Sequence, residues 1–377
     1  MDPKKPKITP EQLSLFTEPV TDIYRALEDE VFQMIAKRLK TSKNITKDTV
    51  FQWQVDKMNQ LRLVNEDTIK ALSQTTGKAE KEIRKAIKDT GVVTIESVDH
   101  ELKDIYDTLP KPSHIDKVLE TFVAGAFKEY DNYINQSLID TNYGKGTVSK
   151  MYRKIIEETT GKVLAGTKTI NQAITETIVE WANSGLRTGF VDRGGNVWNL
   201  ERYAESVIRT TTNNVYNDLR MERMKEYDLD LVLVSSLPDP REVCSHIQGK
   251  VATLKDPSEN DTDYPSVYDY GYGEPWGLRG INCRHMFFPF IEGINENNQP
   301  QYSEEEMDKN RRLRQKQRYH ERQIRRAKQA LKIAETTGDE VSIQRYKNLV
   351  RNRQAAMRKF INSSGRTRQY DRERVIS

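Results

Sequence analysis

The chain has 377 residues, with 60 Lys and Arg against 56 Asp and Glu, a net charge of +4, and only two cysteines. Hydrophobic residues make up 36% and charged residues 31%; this favours long solvated helices, and about 100–200 residues per domain gives two or three domains. Two cysteines exclude a disulfide scaffold and suit a reducing compartment; no secretory leader is expected before residue 10, and no run of about 18 apolar residues marks a membrane span.

The predicted fold class is mainly α with a small loop-rich α+β module. Region 1–110 reads as helical, with segments over 21–40, 47–75, 78–89 and 95–109. Region 111–228 reads as a helical body. There Ile115, Val118, Leu119, Phe122, Val123, Ala126, Phe127, Tyr130, Tyr133, Ile134 and Leu138 keep the 3–4 spacing of one amphipathic face. Ser113 with Asp116 resembles a capping box at its start. Further helices are predicted over 147–164, 169–183 and 200–227. Residues 190–198 carry β-type residues on both sides of Gly194-Gly195, which predicts a small hairpin.

The pattern changes near Leu229, and 229–302 reads as a separate module. Leu231-Val232-Leu233-Val234 is a buried strand by composition, followed by loops rich in Pro, Asp, Gly and Tyr. Region 303–377 reads as a basic helical hairpin and tail. Ser303 with Glu306 forms a capping box, three carboxylates suit the helix N-terminus, Gly338-Asp339 breaks the helix, and Gly365 closes the second arm.

Several chemistries are excluded by missing motifs. The chain has no Gly-rich lysine loop, GxGxxG, GxSxG, HExxH or deaminase signature. One constellation remains: each cysteine is followed two residues on by one of the five histidines, in Cys244-Ser245-His246 and Cys283-Arg284-His285. Two thiolates and two imidazoles are the donor set of a structural zinc ion, although one intervening residue puts side chains on opposite faces of a strand, so each pair must sit on a turn. Nearby turn residues include Asp239, Gly249, Gly280 and Asn282. The alternatives are buried thiols with hydrogen-bonded histidines, and a Cys–His nucleophile.

Two further features bear on nucleic acid. Tyr264, Tyr268, Tyr270, Tyr272 and Trp276 can form a stacking platform or simply fill the module. The second reading is favoured, because no Lys or Arg lies between Lys255 and Arg279 to follow a phosphate backbone. The hairpin is the stronger candidate. From Lys309 to Ser377 there are 21 Lys and Arg against 6 Asp and Glu, a net of +15, and the preceding residues carry −11. Arg311, Arg312, Arg314, Arg318, Arg322, Arg325 and Arg326 on one arm, with Arg351, Arg353 and Arg358 on the other, form a surface for a polyanion such as DNA. The alternatives are a solvated face and docking on this chain's own acidic body. The hairpin's apolar positions make a thin core that needs a partner or the rest of the chain.

The segment from Leu233 to Ile291 resembles the phage minor capsid protein 2 family, minor head proteins of tailed phages and prophages of Gram-positive bacteria. The resemblance rests on Val234-Ser235-Ser236, His246-Ile247-Gln248-Gly249-Lys250, Tyr264-Pro265-Ser266-Val267-Tyr268, Gly271-Tyr272-Gly273-Glu274-Pro275 and Gly280-Ile281-Asn282-Cys283-Arg284-His285. It extends through the hairpin to Gly365-Arg366-Thr367-Arg368-Gln369-Tyr370 and back to Gly195-Asn196-Val197-Trp198 and Val207-Ile208-Arg209-Thr210-Thr211. The Asn-Cys-Arg-His element is also similar to the Asn-Cys-Arg-Cys end of the Mu F-like head morphogenesis domain, where Cys replaces His, an exchange that suits a zinc ligand. The resemblance implies a non-enzymatic virion component of low copy, assembled in the host cytoplasm with the portal and other capsid proteins. No toxin or enzyme domain is expected after the hairpin. Contact with packaged double-stranded DNA, without sequence preference and with no membrane, follows from charge rather than from the resemblance. The rival classes are a metal- or cysteine-dependent hydrolase built on Cys283, His246 and Asp239, and a host-side DNA-binding protein.

Overall fold

The computed structural model describes residues 10–41, 45–103, 105–106, 120–121, 123–125, 128, 146–185, 187–191 and 197–376. The helix expected over 115–138 lies almost wholly outside these residues, as does the Gly194-Gly195 turn. The architecture is helical with one small three-stranded sheet, as the composition predicts. No helix among the described residues is long and apolar enough to cross a membrane.

In chain order the helices are α1 (Pro10–Leu39), α2 (Val50–Asn59), α3 (Leu61–Leu102), α4 (Thr147–Leu164) and α5 (Ile170–Ser184). Strands β1 (Arg187–Val191) and β2 (Val197–Asn199) pair antiparallel, which is the small hairpin read from the sequence. Then come α6 (Leu200–Lys225), β3 (Leu231–Val234), the one-turn α7 (Glu242–Ser245), β4 (Val251–Thr253), β5 (Phe287–Pro289), α8 (Glu304–Thr337) and α9 (Glu340–Ser364).

One difference from the sequence reading has a clear cause. Three predicted segments, 47–75, 78–89 and 95–109, are replaced by a break at Gln60 and a single 42-residue α3. The inward stripe of α3 is interrupted by Thr68, Thr75, Thr90 and Thr94, which are all buried. Three of these hydroxyls donate back to the preceding turn: Thr68 to Val64 O at 2.7 Å, Thr90 to Ala86 O at 2.7 Å and Thr94 to Thr90 O at 2.6 Å. Satisfied in this way, threonine occupies interior helix positions that an apolar count leaves out. Gly77 and Gly91 also lie inside α3, where each costs about 1 kcal/mol relative to Ala, and packing overrides that local preference.

The chain divides into two compact units. One comprises residues 1–21, 79–131 and 204–312. Its sheet has the order β4-β3-β5, antiparallel throughout. Val232 and Val234 face a core containing Cys244, Ile247, Ala252, Val267, Leu278, Cys283 and Phe287. Leu233 faces the other way, with Met286, Phe288, Phe290 and Tyr216 of α6. Both faces of β3 are thus covered, which is why its sequence is continuously apolar rather than alternating. Pro289 sits on the edge strand, where a missing ladder donor is tolerated.

The other unit comprises residues 22–78, 132–203 and 313–377. Thr169 and Gln172 form a reciprocal capping box at the start of α5, satisfying two of that helix's open N–H groups. Phe32 of α1 meets Trp181 of α5 edge to face, with centroids 4.9 Å apart. The hairpin turns at Gly338, whose φ of 75° suits glycine, and Asp339 caps α9 through Ser342 N at 3.1 Å. Its own core is small, built on Ile324, Met357 and Phe360. The rest is borrowed: Gln329 donates to Asp29 of α1 at 2.7 Å, and Thr337 lies 2.6 Å from Thr175 of α5.

Candidate metal centre and basic hairpin

Cys244 lies on α7, and Cys283 and His285 lie on the segment that leads into β5. The two sulfurs and one His285 nitrogen all fall within 4.8 Å of one another. Each of these residues is 1% exposed. His246, the fourth candidate, is exposed and stands outside the cluster. The structure therefore brings together three of the four Cys/His positions singled out by spacing.

The tautomer of His285 follows from its partners. Gln248 Oε1 accepts from Leu237 N at 3.0 Å and lies 3.1 Å from His285 Nε2. Because that oxygen is an acceptor, Nε2 carries the proton and donates it. The lone pair of Nδ1 then faces Cys283 Sγ, 3.6 Å away. The hydrogen bond with Cys244 holds the Cys283 thiol well below its usual range. The same bond and burial push Cys244 up, against the nearby Arg241. Arg241 Nη2 lies 3.5 Å from Cys244 Sγ.

The turn residues fix the loop geometry. Asp239 accepts from Arg284 Nη2 through its backbone oxygen at 2.8 Å and its carboxylate at 2.7 Å. Gly249 has a φ of 68°, and its N–H donates to Val234 O at 2.9 Å. Asn282 also has a positive φ, 60°. Gly280 is required by close approach: a Cβ there would lie 2.1 Å from Glu274 O.

The aromatic group divides. Tyr272 stacks on Phe287 at 6.1 Å, and Tyr270 packs against the same core. Tyr268 and Trp276 are exposed. The ring of Trp276 closes over Gly271, where a Cβ would meet it at 2.6 Å.

On the hairpin, Arg312, Arg322, Arg326, Arg351 and Arg358 are exposed, whereas Arg311, Arg314, Arg318, Arg325 and Arg353 are half-buried. Arg311 binds Asp308 at 2.8 Å, Arg318 reaches Glu321 at 3.4 Å, and Arg325 donates to Arg372 O at 2.7 Å. The tail beyond Gly365 folds back on the hairpin. Arg366 donates to Gln317 at 2.6 Å, and Arg368 holds the buried Glu373 with two bonds of 2.6 Å. This forked pair explains why Arg368 packs inward.

Residues 8–362 match the family described as Phage minor capsid protein 2. The chain belongs to that family. It is 35% identical to a structural protein of Lactococcus phage LL-H over 362 residues, 94% of this chain and 98% of that protein. It is 42% identical to a structural protein of Lactococcus phage mv4 over 115 residues, 30% of this chain and 94% of that protein. No solved structure matches it.

In this minor capsid protein the Cys–His segment is held by a helix face that the sequence reading passed over. Thr210, Asn213, Asn217 and Arg220 recur at 3–4 spacing on α6. Thr210 Oγ1 accepts from Asn282 N at 3.0 Å, and Asn217 donates to His285 O at 3.0 Å. Asn213 donates to the same oxygen at 3.3 Å. Asn217 Oδ1 accepts from Phe287 N, also at 3.0 Å, and Arg220 Nε donates to Phe287 O at 2.6 Å. The signal was present as a polar stripe at helical period between Ile208 and Met221. A solvated face gives the same pattern, so only the buried partners distinguish the two.

Proposed function

We propose that this protein is a non-enzymatic minor component of the phage head, assembled in the host cytoplasm beside the portal and other capsid proteins. In this reading its hairpin contacts packaged double-stranded DNA. The observation that carries the DNA part is the set of exposed arginines on both arms, Arg312, Arg322 and Arg326 with Arg351 and Arg358. Guanidinium groups presented to solvent on rigid helices neutralise phosphates without reading bases. Family membership and likeness to structural proteins of two phages support the virion assignment. Phe51 and Val55, one turn apart on α2 and more than half exposed, supply apolar surface for a capsid neighbour. Burial argues against the hydrolase reading: Cys283 is closed to a substrate, His246 stands apart from it, and Asp239 is held by Arg284.

Mass spectrometry of purified virions, full heads against DNA-free heads, tests the assignment. The protein is expected in both, with cross-links to the portal and, in full heads only, to DNA through the hairpin. Its absence from virions would overturn the assignment, and cross-links confined to protein would overturn the DNA contact.

A further inference from the structure

Cys244, Cys283 and His285 share more than proximity. Their donors are two sulfurs and one imidazole nitrogen, the set that selects zinc among divalent ions abundant in cells. A tetrahedral ion with Zn–S near 2.3 Å and Zn–N near 2.0–2.1 Å separates its S and N ligands by about 3.6 Å. The observed Cys283 Sγ to His285 Nδ1 distance is 3.6 Å. The remaining separations lie within 4.8 Å, close enough to close on one ion with small side-chain adjustments.

The surrounding groups orient the ligands for that task. His285 Nε2–H is held by Gln248 Oε1, which leaves Nδ1 as the free lone pair. Metal-bound histidines are commonly held in this way, with the second nitrogen donating to an oxygen. Asn213 and Asn217 fix the His285 carbonyl from α6. Gln248 is itself seated by a contact from its Nε2 to Met307 Sδ at 3.1 Å. The site is therefore built from three buried ligands whose rotations are already restricted.

We propose that Cys244, Cys283 and His285 bind one zinc ion through two thiolates and His285 Nδ1. Two thiols lose their protons to water as the ion enters, and the thiolates offset its double charge. The ion ties α7 to the segment entering β5, a crosslink between two short elements in a loop-rich core. His246 takes no part. The inference is independent of where in the virion the protein sits.

The test uses the full chain, expressed with zinc in the medium and purified anaerobically without chelator. Elemental analysis should find about one zinc per chain. Replacement of the zinc by Co²⁺ should give a thiolate-to-cobalt charge-transfer band and intense tetrahedral d–d bands. Cys283→Ser and His285→Gln should lower the zinc content about tenfold or more, and His246→Ala should leave it unchanged. Wild-type protein that is metal-free with two titratable thiols, or that holds a Cys244–Cys283 disulfide, would overturn the proposal. So would loss of the metal in His246→Ala while Cys283→Ser keeps it. The wild-type zinc content and cobalt spectrum decide the matter even if the ligand variants fail to fold.

Discussion

Arg220 Nη2 meets Glu101 at 2.7 Å across 119 residues of sequence, from a side chain with no solvent exposure. The same guanidinium binds Phe287 O at 2.6 Å, Tyr216 OH at 3.0 Å and Ser97 Oγ at 3.2 Å. It therefore joins α6 to α3 and to the edge strand at once. Replacing it with Met leaves Glu101 without its cation and a buried carbonyl without its donor. The expected loss is about 3–5 kcal/mol, read as a shift of the urea midpoint. Lys should not rescue it, because one ammonium cannot reproduce the fork. A loss below about 1 kcal/mol in Arg220→Met would contradict this role.

Glycine substitutions should separate contact from conformation. At Gly280 an added Cβ would strike backbone, Glu274 O at 2.1 Å and Pro275 O at 2.5 Å, so Gly280→Ala must displace the loop that carries Cys283. The expected destabilisation is about 1–3 kcal/mol or more. Gly161 lies inside α4 with nothing within 4 Å of the added atom. There Gly161→Ala should stabilise by about 0.5–1 kcal/mol. Thermal denaturation of the two variants should show shifts of opposite sign.

A pH dependence follows from Glu321. It is 2% exposed, its Oε1 has no hydrogen-bond partner among the described residues, and burial raises its pKa against the pull of Arg318. A carboxyl group raised on folding binds its proton more tightly in the native state. Its stabilising effect is complete below the unfolded pKa and is lost as pH rises through the raised folded value. Glu321→Gln should therefore be the more stable protein at neutral pH, by on the order of 1 kcal/mol. That advantage should shrink as pH falls into the acidic range. Denaturation curves of both proteins at several pH values check this; an advantage that grows on acidification would refute it.

The tail arginines should behave differently from the exposed ones. Arg368 is paired at 2.6 Å with Glu373, which is 1% exposed. Arg368→Gln strands a buried carboxylate and should lower stability by about 3 kcal/mol. It should leave the salt dependence of DNA binding as it is. Parallel unfolding and DNA-binding measurements on this one variant separate the two effects.

Much of this was legible in the sequence, and the exceptions have physical causes. The capping box at Ser303 and Glu306 was readable because its residues are local; Ser303 N meets Glu306 at 2.9 Å, and Glu306 N meets Ser303 Oγ at 3.2 Å. Strand β3 was readable because covering both faces demands an unbroken apolar run. The extent of α3 was not, since threonines that bond their own helix read as interruptions. Of the Cys/His set, spacing drew attention to four residues, but only burial and distance select the three that converge. The polar face of α6 carried no sequence mark of its own, because its partners are backbone atoms about 65–75 positions away. Charge counting likewise could not tell Arg312, which faces solvent, from Arg368, which faces Glu373.

The most direct measurement is the salt dependence of double-stranded DNA binding by the full chain, compared with a variant carrying Gln at 312, 322, 326, 351 and 358. The account predicts sequence-independent binding that weakens steeply with salt, with the slope of log affinity against log salt falling by about 0.9 for each phosphate contact removed. Wild-type protein without salt-dependent affinity, or a variant whose slope equals that of wild type, would contradict the claim that this hairpin faces DNA.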